Sequence, residues 1–160
     1  MLIQHHYEVS LSWEGNRGSG TSGYKAYGRE HLVTVAGKHP IAGSADRAFF
    51  GDVERWNPEE LLLAALSQCH MLSYLAEAAR SGLIVTSYHD QASGTMEQTA
   101  DGGGHFTRVV LHPRVTVLAD ANRELAHDLH RLAAGKCFIA ASVNFPVEHE
   151  PEIIAAHTPD

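Results

Sequence analysis

Residues 57–72 have the sequence NPEELLLAALSQCHML and hold the strongest helix signal in this 160-residue chain. The asparagine can cap a helix, the proline suits the first helical position, and the second glutamate completes a capping box. Apolar residues continue to Ala79, and Gly82 is placed to end the helix. We therefore predict one long helix over residues 58–81. Because it is apolar nearly all round, we expect it to be largely buried.

Strand patterns lie on both sides of this helix, beginning with a strict alternation of apolar and polar residues over 7–13. The predicted elements are strands at 7–13, 23–27, 31–35, 84–96, 106–118 and 143–149, and helices at 58–81 and 121–134. A long loop is expected over 37–56, and Pro113 should break the strand that contains it. The order β-β-β-α-β-β-α-β predicts an α+β fold. We predict a single domain over 1–160, with a loose tail from residue 151.

Composition narrows the classes of function. The chain is 44% hydrophobic and 19% charged, as soluble globular proteins are. Nineteen acidic residues against 12 basic ones give a net charge of −7, which argues against a nucleic-acid partner. No secretory signal is visible, and the apolar run at 61–75 is too short for a bilayer, so we expect a cytoplasmic protein with no membrane partner. No phosphate-binding glycine motif supports a nucleotide ligand.

Two cysteines, Cys69 and Cys137, are the candidates for redox chemistry. Cytoplasmic disulfides are mostly transient, so a bond between these residues would be expected to cycle. A thiolate attacks a peroxide, and burial in a leucine-rich helix would raise the pKa of Cys69, which therefore needs a nearby cation. The residues alone leave open that Cys69 is an inert filler of the core. They also do not place Cys137 within the Cα separation of about 7 Å that a disulfide needs.

The acid and base partners of Cys69 are less well defined. Glu59 precedes Cys69 by ten residues, which is about 15 Å of helical rise, so direct contact is not expected. Glu59 could act through an arginine from the preceding loops, or it could simply complement the helix dipole. The candidate cations are Arg17, Arg29, Arg47 and Arg55.

The sequence NPEEL at 57–61, with Cys69 ten residues after Glu59, and the pair Lys136-Cys137 resemble the OsmC/Ohr family of hydroperoxide reductases. The sequence WEGNRGSGT at 13–21 is similar to the first hairpin of that family. The resemblance covers nearly the whole chain. It implies an OsmC-like fold, with two antiparallel sheets packed around long central helices. It also implies an intertwined homodimer with active sites at the subunit interface.

The same resemblance implies thiol-dependent reduction of organic hydroperoxides to alcohols, in oxidative-stress defence. Cys69 matches the reactive cysteine of the family, Cys137 the resolving cysteine, and Glu59 the family's glutamate. Arg29 matches the arginine position of relatives with a histidine after the reactive cysteine, and we prefer it to the other three. No bound cofactor or metal is implied; the reductant is an external dithiol, either a lipoylated protein or a small thiol. His70 departs from the usual apolar residue, and it could tune the thiol or pair elsewhere.

Two other readings use the same residues. The chain has 12 histidines, and zinc could be held by a set drawn from Cys69, His70, Cys137 and His130. Adjacent helical residues point about 100° apart and rarely share a metal, which argues against a site containing both Cys69 and His70. The third reading is a redox sensor without turnover, which would be oxidised once per molecule and lack an efficient reductant.

Overall fold

The predicted long helix is α1, Pro58–Arg80, in the computed structural model, which describes residues 2–156. The capping box forms as expected: the Glu60 amide donates to Asn57 Oδ1 at 2.8 Å, and the Asn57 amide donates to Glu60 Oε2 at 3.2 Å. Gly82, with φ of 71°, ends the helix in the left-handed region. The helix is fully buried on one face rather than all round. That face consists of Leu66, His70, Tyr74, Glu77 and Ala78.

The described residues fall into two compact units that divide after Leu61. The first unit has an antiparallel sheet of β1 (Ser10–Trp13), β2 (His31–Thr34) and β3 (Ile41–Gly43), in that order, and a short 3₁₀ helix at Arg47–Phe49. β3 lies within the segment predicted as a loop. The strand predicted over 23–27 is wrong, because this segment forms turns. The carbonyls of Tyr24 and Tyr27 accept hydrogen bonds from the Arg29 side chain instead of pairing with a strand.

The second unit contains two three-stranded sheets beside the main length of α1. Its elements are β4 (Val85–His89), β5 (Ser93–Gln98), β6 (Gly104–Leu111), β7 (Arg114–Val117), α2 (Arg123–Ala134), β8 (Val147–His149) and β9 (Glu152–Ala155). The strand orders are β4-β7-β9 and β5-β6-β8. β8 pairs with β6 and β9 pairs with β7 in parallel, after the crossover through α2.

Two long predicted strands are each divided in two. The segment 106–118 breaks at Pro113, as expected. The segment 84–96 breaks at Asp90, because the Asp90 carboxylate accepts the His112 amide at 2.7 Å and the Ser67 hydroxyl at 2.5 Å, which turns the chain there. Asp90 thereby links the ends of two strands to α1.

The prediction of a loose tail from residue 151 is wrong for 152–155, which form β9. Ile153 is buried in the core and pairs with Val115, so this segment gains both apolar burial and backbone hydrogen bonds. Residues 157–160 lie outside the described part of the chain. The extent of the domain over 1–160 stays a prediction.

The α+β class is confirmed, with two α-helices and nine strands in residues 2–156. The sheets differ in detail from the expected two antiparallel ones, since there are three and two of them are mixed. The core of the second unit has two clusters on α1, one around Leu66 with Val109 and Leu111, the other around Tyr74 with Leu129. These clusters fix the face of α1 that stays free for chemistry. Within the described residues, no helix is long and apolar enough to cross a membrane.

Candidate functional site

Cys69 and Cys137 meet in the second unit. Cys69 lies midway along α1 and is partly exposed, whereas Cys137 follows the end of α2 and is only 2% exposed. The two thiols are both reduced and lie close enough that Cys69 affects the ionisation of Cys137. Burial, and then the hydrogen bond with Cys69, raise the pKa of Cys137 from its ordinary 9.0 to about 11.

Cys69 lines an apolar cleft of about 690 Å³. Its apolar walls include Ala65, Leu72, Phe138 and Ile139. Leu72 and Phe138 are largely exposed, so the cleft is open at this side of the chain. A concave apolar site of this size is typical of small-molecule binding. The arrangement gives an apolar reactant access to Cys69, whereas Cys137 is buried.

A cluster of three charges occupies one end of the same cleft. The Glu77 side chain is only 9% exposed, and its Oε1 accepts hydrogen bonds from Lys136 Nζ at 2.7 Å and from the Arg80 guanidinium. The Lys136 bond, more than any other cause, lowers the pKa of Glu77. Sequence reasoning missed this cluster. The Glu77–Arg80 spacing of three on a helix was a usable signal, but Lys136 lies 59 residues away.

His70 turns away from the cleft and pairs inside the core. It is fully buried, with its Nε2 3.0 Å from His130 Nδ1 and its ring centroid 4.2 Å from that of His149. Burial, and then the charge of His149, lower the pKa of His70 to about 4. Burial also lowers the pKa of His130 to about 3. Of the two roles left open for His70, pairing elsewhere is the one that the structure favours.

The zinc reading receives no structural support. Cys69 lines the cleft whereas His70 packs in the core, as the divergence of adjacent helical residues predicts. In the part of the chain that the structure describes, no group of three or more histidine, cysteine or acidic side chains is arranged to hold a metal ion.

Arg29 and Glu59 line a common cavity of about 260 Å³ in the first unit. The Arg29 guanidinium donates to the carbonyls of Tyr27 at 2.6 Å and Tyr24 at 2.8 Å, and its carbon lies 4.1 and 4.6 Å from the centroids of these two rings. Glu59 Oε2 is buried and has no hydrogen-bond partner within residues 2–156. The cavity therefore contains a well-oriented cation and an acceptor that is free to bind.

The other three arginines of the first unit have different surroundings. Arg17 is exposed and 3.8 Å from Glu30, and Arg55 lies 3.7 Å from Asp52. Arg47 is exposed in the 3₁₀ helix. Of the four candidates, Arg29 is the one that shares a cavity with Glu59. The catalytic assignments of Arg29, Glu59 and both cysteines stay predictions.

Comparison with known proteins shows a match to a known family. Residues 51–152, which include Glu59 and both cysteines, match the family model described as OsmC-like protein. The uncharacterized protein YmaD of Bacillus subtilis is 27% identical over 157 residues, covering 94% of this chain and 95% of that protein.

Solved structures agree with the family match. An OsmC-like protein of unknown function from Vibrio cholerae is 31% identical and superposes with a TM-score of 0.81, covering 94% of this chain and 100% of that one. An organic hydroperoxide resistance protein from Elizabethkingia anophelis has a TM-score of 0.68 at 17% identity, over 96% of this chain and 100% of that one. The second likeness concerns the fold alone.

Proposed function

Because the chain belongs to the OsmC-like protein family, and because its two cysteines lie close together, with Cys69 lining an apolar cleft, we propose that it is a thiol peroxidase that reduces organic hydroperoxides. The observation that carries this proposal is the proximity of Cys69 and Cys137. Free cysteines in a core need no partner thiol, whereas a peroxidase with a resolving cysteine requires two sulfurs within bonding reach. The cellular role would be defence against oxidative stress in the cytoplasm.

The first half of the reaction takes place at Cys69. Its thiolate attacks the distal oxygen of ROOH, the O–O bond breaks, and the leaving alkoxide takes a proton to become ROH. Cys69 is left as a sulfenic acid. Cys137 is the poorer nucleophile of the two, because its raised pKa keeps it protonated and its sulfur is buried. These differences support the order in which Cys69 attacks and Cys137 resolves.

The second half restores the enzyme. The Cys137 sulfur attacks the Cys69 sulfenic acid, the S–O bond breaks, and water leaves as the disulfide forms. An external dithiol then reduces the disulfide and is itself oxidised to a disulfide. We propose a lipoylated protein or a small dithiol for this role, and no bound cofactor. The apolar walls of the cleft suit alkyl or aryl hydroperoxides better than hydrogen peroxide.

Arg29 and Glu59 complete the proposal, on the family resemblance. The unpaired Glu59 carboxylate and the Arg29 guanidinium line one cavity, which suits a pair that acts together. We further propose that the working form is a homodimer, as the resemblance implies. Gel filtration with light scattering tests the dimer. Substitution Arg29→Lys tests the arginine, because lysine keeps the charge but lacks the planar fork.

The central experiment measures consumption of cumene hydroperoxide with dihydrolipoamide as donor. Wild type should turn over many times, whereas Cys69→Ser should lose activity. Cys137→Ser should complete the first reduction at the wild-type rate and accumulate a dimedone-reactive Cys69. A Cys69→Ser protein with wild-type activity would overturn the proposal. A wild-type protein that consumed one equivalent and then stopped would favour the sensor reading, and stoichiometric bound zinc would favour the metal reading.

A further inference from the structure

We propose that Glu77 is a positioning residue that holds Cys137 against Cys69 by binding Lys136. The proposal rests on the proposed function for the role of Cys137 as resolving thiol. Glu77 belongs to α1, the helix that carries Cys69, and Lys136 is the residue directly before Cys137. The 2.7 Å bond between them therefore joins the two segments that carry the two sulfurs.

The burial of Glu77 shows that this bond is more than a surface contact. Its side chain is 9% exposed, whereas the Lys136 side chain is 55% exposed. A buried carboxylate needs charged hydrogen-bond donors, and Lys136 and Arg80 both donate to the same oxygen, Oε1. Only one of these two donors connects different elements, because Arg80 lies on α1 itself, three residues after Glu77. Arg80 can neutralise Glu77, but it cannot position Cys137.

The local backbone explains why Cys137 benefits from such a link. α2 ends at Ala134, and Cys137 follows in a tightening turn whose amide reaches Ala134 O at 3.4 Å. This is a long hydrogen bond, so the turn alone orients the cysteine weakly. A disulfide tolerates a narrow range of Cα separations, about 4.4–6.8 Å. Fixing Lys136 on α1 limits how far the next residue can move from Cys69, which raises the effective concentration of one thiol at the other.

The test is the redox equilibrium of the purified protein with glutathione. The protein dithiol and GSSG give the protein disulfide and two GSH, so the equilibrium constant is the effective concentration of Cys137 at Cys69. We expect Glu77→Gln and Lys136→Met each to lower this constant by about tenfold, in line with loss of a charge-assisted hydrogen bond. Arg80→Met is the matched control. Its equilibrium constant should stay within about twofold of the wild-type value, because the substitution removes a charge but no link between elements.

Two further variants distinguish a loss of Cys137 positioning from a change in charge and from a general loss of protein stability. Lys136→Arg keeps the cation and a donor, so it should restore the equilibrium to near the wild-type value. The double variant Glu77→Gln/Lys136→Met should be no worse than either single variant, since both remove the same bond. The thermal unfolding midpoint of each variant records any general loss of stability. If Glu77→Gln does not fold, Lys136→Met carries the test, because its side chain is largely exposed.

Equal equilibrium constants with glutathione for wild type and Lys136→Met would overturn the proposal. It would also be overturned if Arg80→Met lowered this constant as much as Glu77→Gln does. The readout does not depend on peroxide. A protein that shows the expected glutathione equilibria but consumes no hydroperoxide would contradict the proposed function and leave the positioning role of Glu77 supported.

Discussion

The protonation of Cys137 predicts which thiol reacts with an alkylating agent, and by how much. The pKa of Cys137 rises from 9.0 to about 11 because the sulfur is buried and, secondly, because Cys69 lies beside it. Only the thiolate is alkylated, and a pKa difference of two lowers the thiolate fraction about 90-fold at pH 8. Shielding of a side chain that is 2% exposed slows the reaction further. We therefore expect folded Cys137 to react at least 100-fold more slowly than the same cysteine in unfolded protein.

The assay treats reduced protein with iodoacetamide at pH 8 and follows the Cys69 and Cys137 peptides by mass spectrometry. Protein in 8 M urea is the reference for Cys137. Raising the pH from 8 toward 11 should accelerate folded Cys137 much more than unfolded Cys137, because the unfolded thiol, with its ordinary pKa of 9.0, is almost fully ionised about two pH units earlier. Cys69→Ser separates the two causes: burial is the larger, so most of the retardation should remain. Equal rates for folded and unfolded Cys137 at pH 8 would refute the reasoning.

Three further predictions concern stability, each measured by chemical denaturation. Leu66→Ala should lower the free energy of unfolding by about 2–5 kcal/mol because Leu66 is fully buried. Leu72→Ala, at a residue that is 60% exposed, should lower it by about 0.5 kcal/mol or less. Equal losses of stability in the two variants would contradict the packing of Leu66 in the core. Asn57→Ala should lower the free energy of unfolding by about 0.5–2 kcal/mol, because it removes the capping box of α1. An unchanged free energy of unfolding would mean that the cap is not formed in solution. The pKa values of His70 and His130 are lowered, so the unfolded state binds protons first and stability should fall as the pH drops from about 6.5 toward 4. A His70→Gln protein should show a shallower fall, and an unchanged slope would rule out this histidine as a source.

The parts of the fold predicted from sequence are those encoded locally. The capping box and Gly82 specify α1 to within one residue, and Pro113 marks the break between β6 and β7. β3 and β9 were not predicted, because each strand is short and forms its hydrogen bonds with a strand from another part of the sequence. The division at Asp90 likewise depends on a carboxylate that binds the amide of residue 112, which no window around Asp90 reveals.

The candidate site shows the same limit. The resemblance singled out both cysteines, but their proximity depends on how α2 returns beside α1. Glu77 looks from sequence like one acidic residue in an apolar helix, and its role appears only when Lys136 is brought to it. The stacking of His70 against two histidines from α2 and β8 was hidden for the same reason. Long-range contacts, rather than local propensity, create these features.

The late position of β8 and β9 has a consequence for synthesis on the ribosome. β6 and β7 emerge first and must wait for strands about 35 residues later in the chain before their parallel partners are available. During that interval each sheet has an unpaired edge with apolar side chains, which is the kind of surface that nascent chains use to aggregate. The second unit can therefore reach its native form only after translation has passed Ala155, and a stalled ribosome short of that point would present a natural target for chaperones.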